Sequence, residues 1–297
     1  MNMTMKKIIN WLREFWTVNH RLEDIQQAIG RIEARQLAAS GSTDLRANEF
    51  KAFSQNGEDG ILQYLLRHIP IPNKVFVEFG VHNYKEANTR FLLRNNNWSG
   101  LVIDGSKANV DQIKSDVLCL MHGLRAECAF IDASNINDLI RKNGISGDIG
   151  LLSVDIDGND FWVWRAIDVI QPRIVIVEYN SLFGPSCPVS IPYDRAFQAS
   201  KAHYSGLYWG ASISAFTHLG RQKGYRLVGS NSTGNNLFFV REDCIGPIRT
   251  LEPQEAWVRA LFRISKDLDF DAGRSCIANC SVVDVTTDAE SLVRDLS

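Results

Sequence analysis

The stretch KVFVEFGVHNYKEANT, residues 74–89, decides the fold class of this 297-residue chain. An apolar run typical of a buried strand ends in Glu78 and a single glycine, Gly80, and a helical stretch follows. A strand, a glycine and a helix in this order form the first unit of a nucleotide-binding α/β sheet. Dinucleotide sites use two or three glycines in this loop, whereas His82 and Asn83 stand here instead. We expect Asn83 to take the left-handed turn, because asparagine tolerates positive φ better than most side-chain-bearing residues.

Similar units recur along the chain. Apolar runs alternate with helical stretches, and these runs predict strands at 74–79, 100–104, 128–131, 150–155 and 173–178. Short apolar strands separated by helices are typical of a parallel sheet that is covered on both faces. Two closing strands, 225–228 and 236–240, predict an antiparallel hairpin. The predicted fold is therefore α/β: a Rossmann-like, doubly wound, mostly parallel sheet with a C-terminal antiparallel hairpin.

The composition excludes several classes of function. The net charge is −2, from 32 basic and 34 acidic residues, so no electrostatic argument favours nucleic acid or an anionic membrane as partner. No apolar run reaches the ~18 residues that a membrane span needs. The polar residues that follow Trp11 interrupt any signal-peptide core, and we expect a cytoplasmic protein. The cysteines predict free thiols rather than a zinc site, because only Cys276 and Cys280 are close together.

The first forty residues differ from the rest. Apolar residues recur three and four positions apart from Ile8 to Ile32, which is the heptad pattern of a coiled coil. Two alternatives remain open: an amphipathic helix folded back on its own domain, or a helix lying on a membrane surface. We favour a homo-oligomer joined through residues 8–36. The expected division is a helix and linker at 1–45, a catalytic domain at 46–250 and a C-terminal tail at 251–297.

Acidic residues follow almost every predicted strand. In an open parallel sheet, ligands bind at the carboxyl ends of the strands, so these residues are expected to share one edge. Like charges held this closely repel unless a cation or a polar ligand lies between them. The strand-end residues are Glu78, Asp104, Asp132, Asp155, Asp157, Glu178 and Asn180.

Two of these acids suit a nucleoside. Asp104 follows Gly80 by 24 positions, near the ~20 expected for an acid that binds ribose hydroxyls. Asp132 is placed to accept from an adenine amino group. Each also has a structural alternative, a turn at Asp104-Gly105-Ser106 and a helix cap at Asp132.

The fourth-strand motif, Asp155-Ile-Asp-Gly-Asn-Asp160, predicts a cation site. Alternation along the chain places Asp155 and Asp157 on the same side, and Glu178 and Asn180 would join them with the oxygen ligands that Mg²⁺ prefers. The alternative is a turn at Asp157 with Asp160 capping the next helix. We also expect His203 to act as a general base, because it lies in a segment that is expected to cover the bound substrate.

The sequence resembles the FkbM-type methyltransferases, and more narrowly a subgroup associated with surface-glycan synthesis. The resemblance spans about residues 50–242 and is carried by SQNGEDGIL (54–62), VFVEFG (75–80), SGLVIDGS (99–106), LLSVDIDGNDFWVW (151–164), IVIVEYN (174–180) and YWGASISAFTHLGRQKGYRLVGSNSTGNNLFFV (208–240). It implies an O-methyltransferase that uses S-adenosylmethionine on a sugar hydroxyl, with a saccharide or glycoconjugate as acceptor.

The resemblance also implies which residues hold the cofactor. Residues near the methionine part would be Glu78, Gly80, His82, Asn83 and Asp155; those near the ribose and adenine would be Asp104, Gly105, Ser106, Asp132 and Ala133. Two other classes remain open. One is a catalytically silent scaffold or cofactor sensor with the same fold, and the other is a dinucleotide enzyme, against which the missing G-x-G-x-x-G run counts.

Overall fold

The computed structural model of the protein describes residues 3–260 and 269–296, and before residue 20 it describes only the side chains of Lys7, Trp11, Thr17 and Val18. The helices are α1 (Met3–Ser40), α2 (Glu58–His68), α3 (Arg90–Asn96), α4 (Lys107–Ser115), α5 (Val117–Met121), α6 (Ile136–Lys142), α7 (Asp160–Ala166), α8 (Ala199–Ala202), α9 (Ile213–Gln222), α10 (Pro253–Ala256) and α11 (Phe270–Cys276). The strands are β1 (Val75–Phe79), β2 (Ser99–Asp104), β3 (Leu124–Cys128), β4 (Gly147–Val154), β5 (Ile170–Glu178), β6 (Val189–Ser190), β7 (Tyr225–Ser230), β8 (Asn236–Arg241), β9 (Ser281–Asp284) and β10 (Glu290–Leu292).

The central sheet of the described residues has the order β3-β2-β1-β4-β5-β8-β7. β1 to β5 pair in parallel, and β8 is antiparallel to both β5 and β7. The predicted Rossmann-like sheet with a closing antiparallel hairpin is therefore confirmed. Strand order reverses between β1 and β4, and ligands in such sheets bind in the crevice at that point.

Both faces of the sheet are buried, which explains the nearly continuous apolar strands. Phe76 and Leu151 belong to one core, while their chain neighbours Val77 and Leu152 belong to the other. Because successive side chains in a strand point to opposite faces, every central strand must be apolar on both sides.

The third strand differs from the prediction. We expected it at 128–131, whereas β3 is Leu124–Cys128. β3 lies at the edge of the sheet, and its Arg125 is exposed, so this strand lacks the apolar run that marks the buried ones. Asp132 consequently lies four residues beyond the strand end.

Helix α1 contacts α2 and α3 with one face. A Cβ on Gly30 would lie 2.8 Å from the ring of Phe91, so the two helices approach closely there. The heptad residues lie on another face and are exposed: Val18 53%, Leu22 53%, Ile25 54%, Ile29 50% and Ile32 59%. The side chains of Ile8 and Phe15 are outside the described set.

The C-terminal residues form part of a second, smaller sheet. Its order is β10-β9-β6, with antiparallel pairing, so the tail pairs with the segment that follows β5. Residues 261–268 and 297 of the predicted tail lie outside the described range. Among the described residues, no helix combines the length and apolar composition that a bilayer crossing requires.

Candidate active site

The loop after β1 is shaped by a close backbone contact. Gly80 has φ +69°, and a Cβ there would lie 1.6 Å from the carbonyl oxygen of Asp155. Left-handed backbone also occurs at His82 (φ 48°) and Tyr84 (φ 61°). The expectation that Asn83 would adopt positive φ is wrong; its side-chain oxygen instead accepts from the Lys85 amide.

Glu78 organises the start of α3. One carboxylate oxygen accepts from the backbone amide of Asn88, and the other accepts from the amide and hydroxyl of Thr89. Burial raises the pKa of Glu78 to about 7, although these hydrogen bonds oppose that shift. The residue predicted to border the cofactor therefore also holds the β1 loop in place.

Asp104 joins the loops that follow β1 and β2 through side-chain hydrogen bonds. Its Oδ2 accepts from the His82 amide at 2.8 Å, and its Oδ1 accepts from the Ser106 amide and the Asn109 side chain. Ser106 in turn caps α4, and Gly105 lies between them in the wall of a cavity. Since a carboxylate has about four acceptor positions, Asp104 keeps one for a further donor.

Both carboxylate oxygens of Asp132 accept hydrogen bonds from other residues of the protein. Its Oδ1 accepts from Ser134 and Asn135, and its Oδ2 accepts from Arg195 Nε at 2.7 Å. The pKa of Asp132 is held below its usual range because these bonds outweigh burial. The amide of Ala133 donates to the Tyr193 hydroxyl at 3.3 Å.

The loop after β4 is held by Asp160. Its two carboxylate oxygens accept from the amides of Ile156 and Gly158, and burial raises its pKa to about 6. These bonds fix Asp157 in left-handed backbone, φ 56°. Asp160 thus orders this loop, and the N-cap position of α7, expected at Asp160 in the turn-and-cap alternative, is occupied by Asn159 instead.

Three of the predicted metal ligands lie together and one does not. Ligand oxygens of Asp155, Asp157 and Glu178 all lie within 4.8 Å of one another. The fourth predicted ligand, Asn180, is held by other hydrogen bonds. Its Nδ2 donates to the carbonyl oxygens of Leu207 and Trp209, and its Oδ1 accepts from the Leu182 amide.

Asn236 is a site residue that sequence reasoning missed. It is 4% exposed and pairs with Glu178 in the β5–β8 register. Its Nδ2 donates to Glu58 at 2.8 Å, and its Oδ1 has no hydrogen-bond partner among the described residues. The signal was present in the resemblance, because the stretches 54–62 and 231–236 meet here through Glu58, which also accepts from Asn231.

Two adjoining cavities occupy this edge of the sheet. The larger, about 300 Å³, runs from Gly80 to Asp104, Ile131 and Asn159. The smaller, about 170 Å³, is lined by acidic and amide side chains, including Glu78, Glu178 and Asn236. The residues that line both are Gly80, His82, Asp155 and Asp157.

Other predicted residues lie elsewhere. His203 bonds with Ser205 at 2.7 Å and packs on the exposed ring of Tyr204. Of the described residues that line the two cavities, none is His203, Asp132, Ala133 or Asn83. Phe197, from the covering segment, does line the larger one.

No protein-family model and no curated protein matches this sequence. Solved structures with a similar fold include the N-terminal domain of EvdMO1 with SAH bound, at 12% identity and TM-score 0.40, covering 74% of this chain and 97% of that one. A S-adenosylmethionine-dependent methyltransferase from Clostridium acetobutylicum ATCC 824 shares 14% identity, with TM-score 0.32, over 43% of this chain and 51% of that one. This chain thus spans about half of the Clostridium protein. All these scores lie below 0.5, so the fold assignment rests on the strand order of the chain itself.

Proposed function

We propose that this chain is an S-adenosylmethionine-dependent O-methyltransferase that acts on a sugar hydroxyl of a surface glycan or glycan precursor. The observation that carries the proposal is the shared cleft: Gly80 and Asp155 line both the nucleoside-sized cavity and the acidic one. A cofactor in the first would end beside the acids that line the second. The cleft lies where the strand order reverses between β1 and β4, as ligand sites in such sheets do.

The residues present fit the cofactor. Asp104 keeps one acceptor position for a ribose hydroxyl, and the apolar walls at Ile103, Ile131 and Phe130 suit a flat base. Glu78, Asn88 and Gly80 line the smaller cavity, where the methionine part would lie. When bound, S-adenosylmethionine supplies an electrophilic methyl group.

The acidic cluster supplies the base or the cation site. A carboxylate of Asp155 or Asp157 would take the hydroxyl proton directly as the oxygen attacks in line. Alternatively, Mg²⁺ held by the three acids would acidify that hydroxyl. Asn236 supports the second route, because it lines the same cavity and its buried Oδ1 has no hydrogen-bond partner among the described residues. It takes the place that we expected for Asn180.

The acceptor would enter beside the segment that follows β5. Tyr193 is exposed and packs on Trp162, with ring centroids 6.0 Å apart, and Tyr208 is partly buried nearby in the chain. Aromatic faces of this kind suit sugar rings, and the resemblance to the glycan-associated subgroup supports the same class.

Homo-oligomerisation through α1 is part of the proposal. One face of α1 contacts the domain through Glu23 and Gly30, while the heptad face is left exposed. Packing of this exposed apolar face against α1 of other copies of the chain accounts for its strict heptad spacing, because the domain itself does not bury that face.

Calorimetry with S-adenosylhomocysteine and with NAD tests the function. We expect the full chain to bind the former and not the latter. Binding without methyl transfer to any glycan acceptor would favour the cofactor-sensing alternative. Binding of neither compound would remove the proposed enzyme.

A further inference from the structure

The loop before α2 presents an accessible amide to the smaller cavity. Gln55 is exposed, lines that cavity, and its side chain bonds to no other described residue. It does not line the larger cavity, whereas Gly80 and His82 line both. Gln55 therefore lies in the part of the cleft that the nucleoside-sized cavity does not share, and it offers two N–H donors and a carbonyl oxygen to a ligand there.

The backbone on both sides of Gln55 is fixed by buried carboxylates. Oδ2 of Asp59 accepts from three consecutive amides, those of residues 52–54, at 2.8, 2.6 and 2.7 Å. Oε2 of Glu58 accepts from the Asn56 amide at 2.8 Å. Binding residues are often carried on loops that a rigid scaffold positions. This loop holds Gln55 at a defined point of the cavity wall in that way.

The smaller cavity is rich in acidic groups and poor in uncommitted donors. The described carboxylate side chains in its wall are Glu78, Glu86, Asp155, Asp157 and Glu178. Among the described residues, no lysine or arginine lines it. The amide nitrogen of Asn88 already donates to Ser153, and that of Asn236 donates to Glu58. A ligand with an ammonium group meets many acceptors here, whereas a ligand carboxylate meets few donors and is repelled by the acids.

We propose that Gln55 binds the α-carboxylate at the amino-acid end of the cofactor, donating to it from the side-chain amide. This inference rests on the proposed function, in which that end occupies the smaller cavity. The acids of the wall would hold the neighbouring ammonium group, and the hydrogen bond from Gln55 offsets their repulsion of the carboxylate. Part of cofactor binding is thus assigned to the loop before α2, outside the strand-end residues.

Lys51 is the alternative partner for the carboxylate. It precedes Gln55 on the same loop and pairs with Glu86, one of the acids of the cavity wall, at 2.9 Å. Lys51 itself does not line the cavity, and both members of the pair are exposed, so the pair holds the lysine only weakly. A test must therefore separate the amide of Gln55 from the charge of Lys51.

Three ligands that differ in the amino-acid end test the assignment. Calorimetry of the full chain would measure S-adenosylhomocysteine, its decarboxylated analogue, which keeps the amine, and 5′-methylthioadenosine, which lacks both groups. Gln55→Met keeps the length of the side chain and removes the amide. We expect it to shift the ratio of affinities by about tenfold or more toward the decarboxylated analogue, because a hydrogen bond to a charged group is lost. The affinity for 5′-methylthioadenosine should not change.

Two variants serve as controls. Gln112 is an exposed glutamine of α4 that lines neither cavity, and Gln112→Met should leave all three affinities near the wild-type values. Lys51→Met should leave the ratio of S-adenosylhomocysteine to the decarboxylated analogue unchanged. A ratio that shifts in Lys51→Met and not in Gln55→Met would assign the carboxylate to the lysine and overturn the inference.

The remaining outcomes separate this inference from the proposed function. An unshifted ratio in Gln55→Met would overturn the role of Gln55 and leave the methyltransferase proposal intact. An equal fall in affinity for all three ligands would assign the effect to the conformation of the loop and would also overturn that role. Failure of the wild-type chain to bind any of the three would overturn the proposed function and the inference together.

Discussion

Gly80 and Asp155 meet through their backbones: a side chain on Gly80 would lie 1.6 Å from the Asp155 carbonyl oxygen. This contact joins the ends of β1 and β4 at the point where the strand order reverses. The single glycine in the opening stretch is therefore explained by strand-end packing. No pyrophosphate has to be invoked, and a nucleoside cofactor does not contain one.

Gly80→Ala is predicted to be much more damaging than Gly147→Ala. Both glycines have nearly the same φ, +69° and +70°, but a Cβ at Gly147 meets nothing within 4 Å. Gly147→Ala should cost only the left-handed strain, about 1–2 kcal/mol. Gly80→Ala adds a collision with backbone and should abolish S-adenosylhomocysteine binding. Thermal unfolding and calorimetry measure both effects, and equal losses in the two variants would contradict the packing role.

The sheet could be predicted from sequence because its central strands are buried on both faces. The strand-end acids of β1, β2, β4 and β5 were found in the same way, since parallel strands bring their ends to one edge. Asp132 was misjudged because β3 is a half-exposed edge strand with no apolar run, which displaced its predicted end. Asn236 was missed although it lies in a stretch that carries the resemblance, because its buried oxygen without a partner among the described residues is visible only in the hydrogen-bond geometry.

The loop conformation was also beyond sequence reasoning. Positive φ falls on His82 and on Tyr84, the second of which is a bulky residue type that rarely adopts it. Tertiary contacts impose it: Asp104 accepts from the His82 amide, and Arg90 donates to the Tyr84 carbonyl.

Glu23→Gln is predicted to weaken cofactor binding from a distance. Arg90 is 1% exposed, and Glu23 accepts from it as well as from Arg94 and Lys85. Loss of the carboxylate removes the ion-pair partner of the buried Arg90 guanidinium, a change that costs about 3–5 kcal/mol when the pair is fully buried. Arg90 would then hold the Tyr84 turn less firmly, and S-adenosylhomocysteine affinity should fall.

Asp24→Asn is the matched control for this change. Asp24 is exposed and pairs with Arg94 but not with Arg90, the arginine that holds the Tyr84 turn. Its replacement should therefore leave the affinity for S-adenosylhomocysteine near the wild-type value. If Glu23→Gln also left affinity unchanged, the coupling between α1 and the β1 loop would be refuted.

The raised pKa of Glu78 predicts that the free energy of unfolding depends on pH. Burial raises its folded pKa to about 7 from 4.5, so its contribution is fully present below pH 4.5 and is lost as pH rises through 7. Relative to Glu78→Gln, wild type should lose about 3 kcal/mol of unfolding free energy across that window. Denaturant unfolding at several pH values measures this. Parallel curves for wild type and Glu78→Gln would contradict the burial argument.

The heptad face predicts more than two chains per oligomer. Leu22 and Ile29 occupy a positions, while Ile25 and Ile32 occupy d positions, a combination that favours three or four strands. Ile25→Glu should give a monomer by light scattering, whereas Ala38→Glu, on the same helix outside the seam, should not. A monomeric mass for the wild-type chain in the same measurement would contradict oligomerisation through α1.

The most direct test of the central claim is a crystal structure of the full chain with S-adenosylhomocysteine and Mn²⁺. We predict cofactor density running from Gly80 past Asp104 to Asn159. An anomalous peak should lie among Asp155, Asp157 and Glu178, at roughly the 2.1 Å ligand distance of a small divalent cation. Cofactor bound elsewhere, or a cleft that stays empty at saturating ligand, would contradict the account.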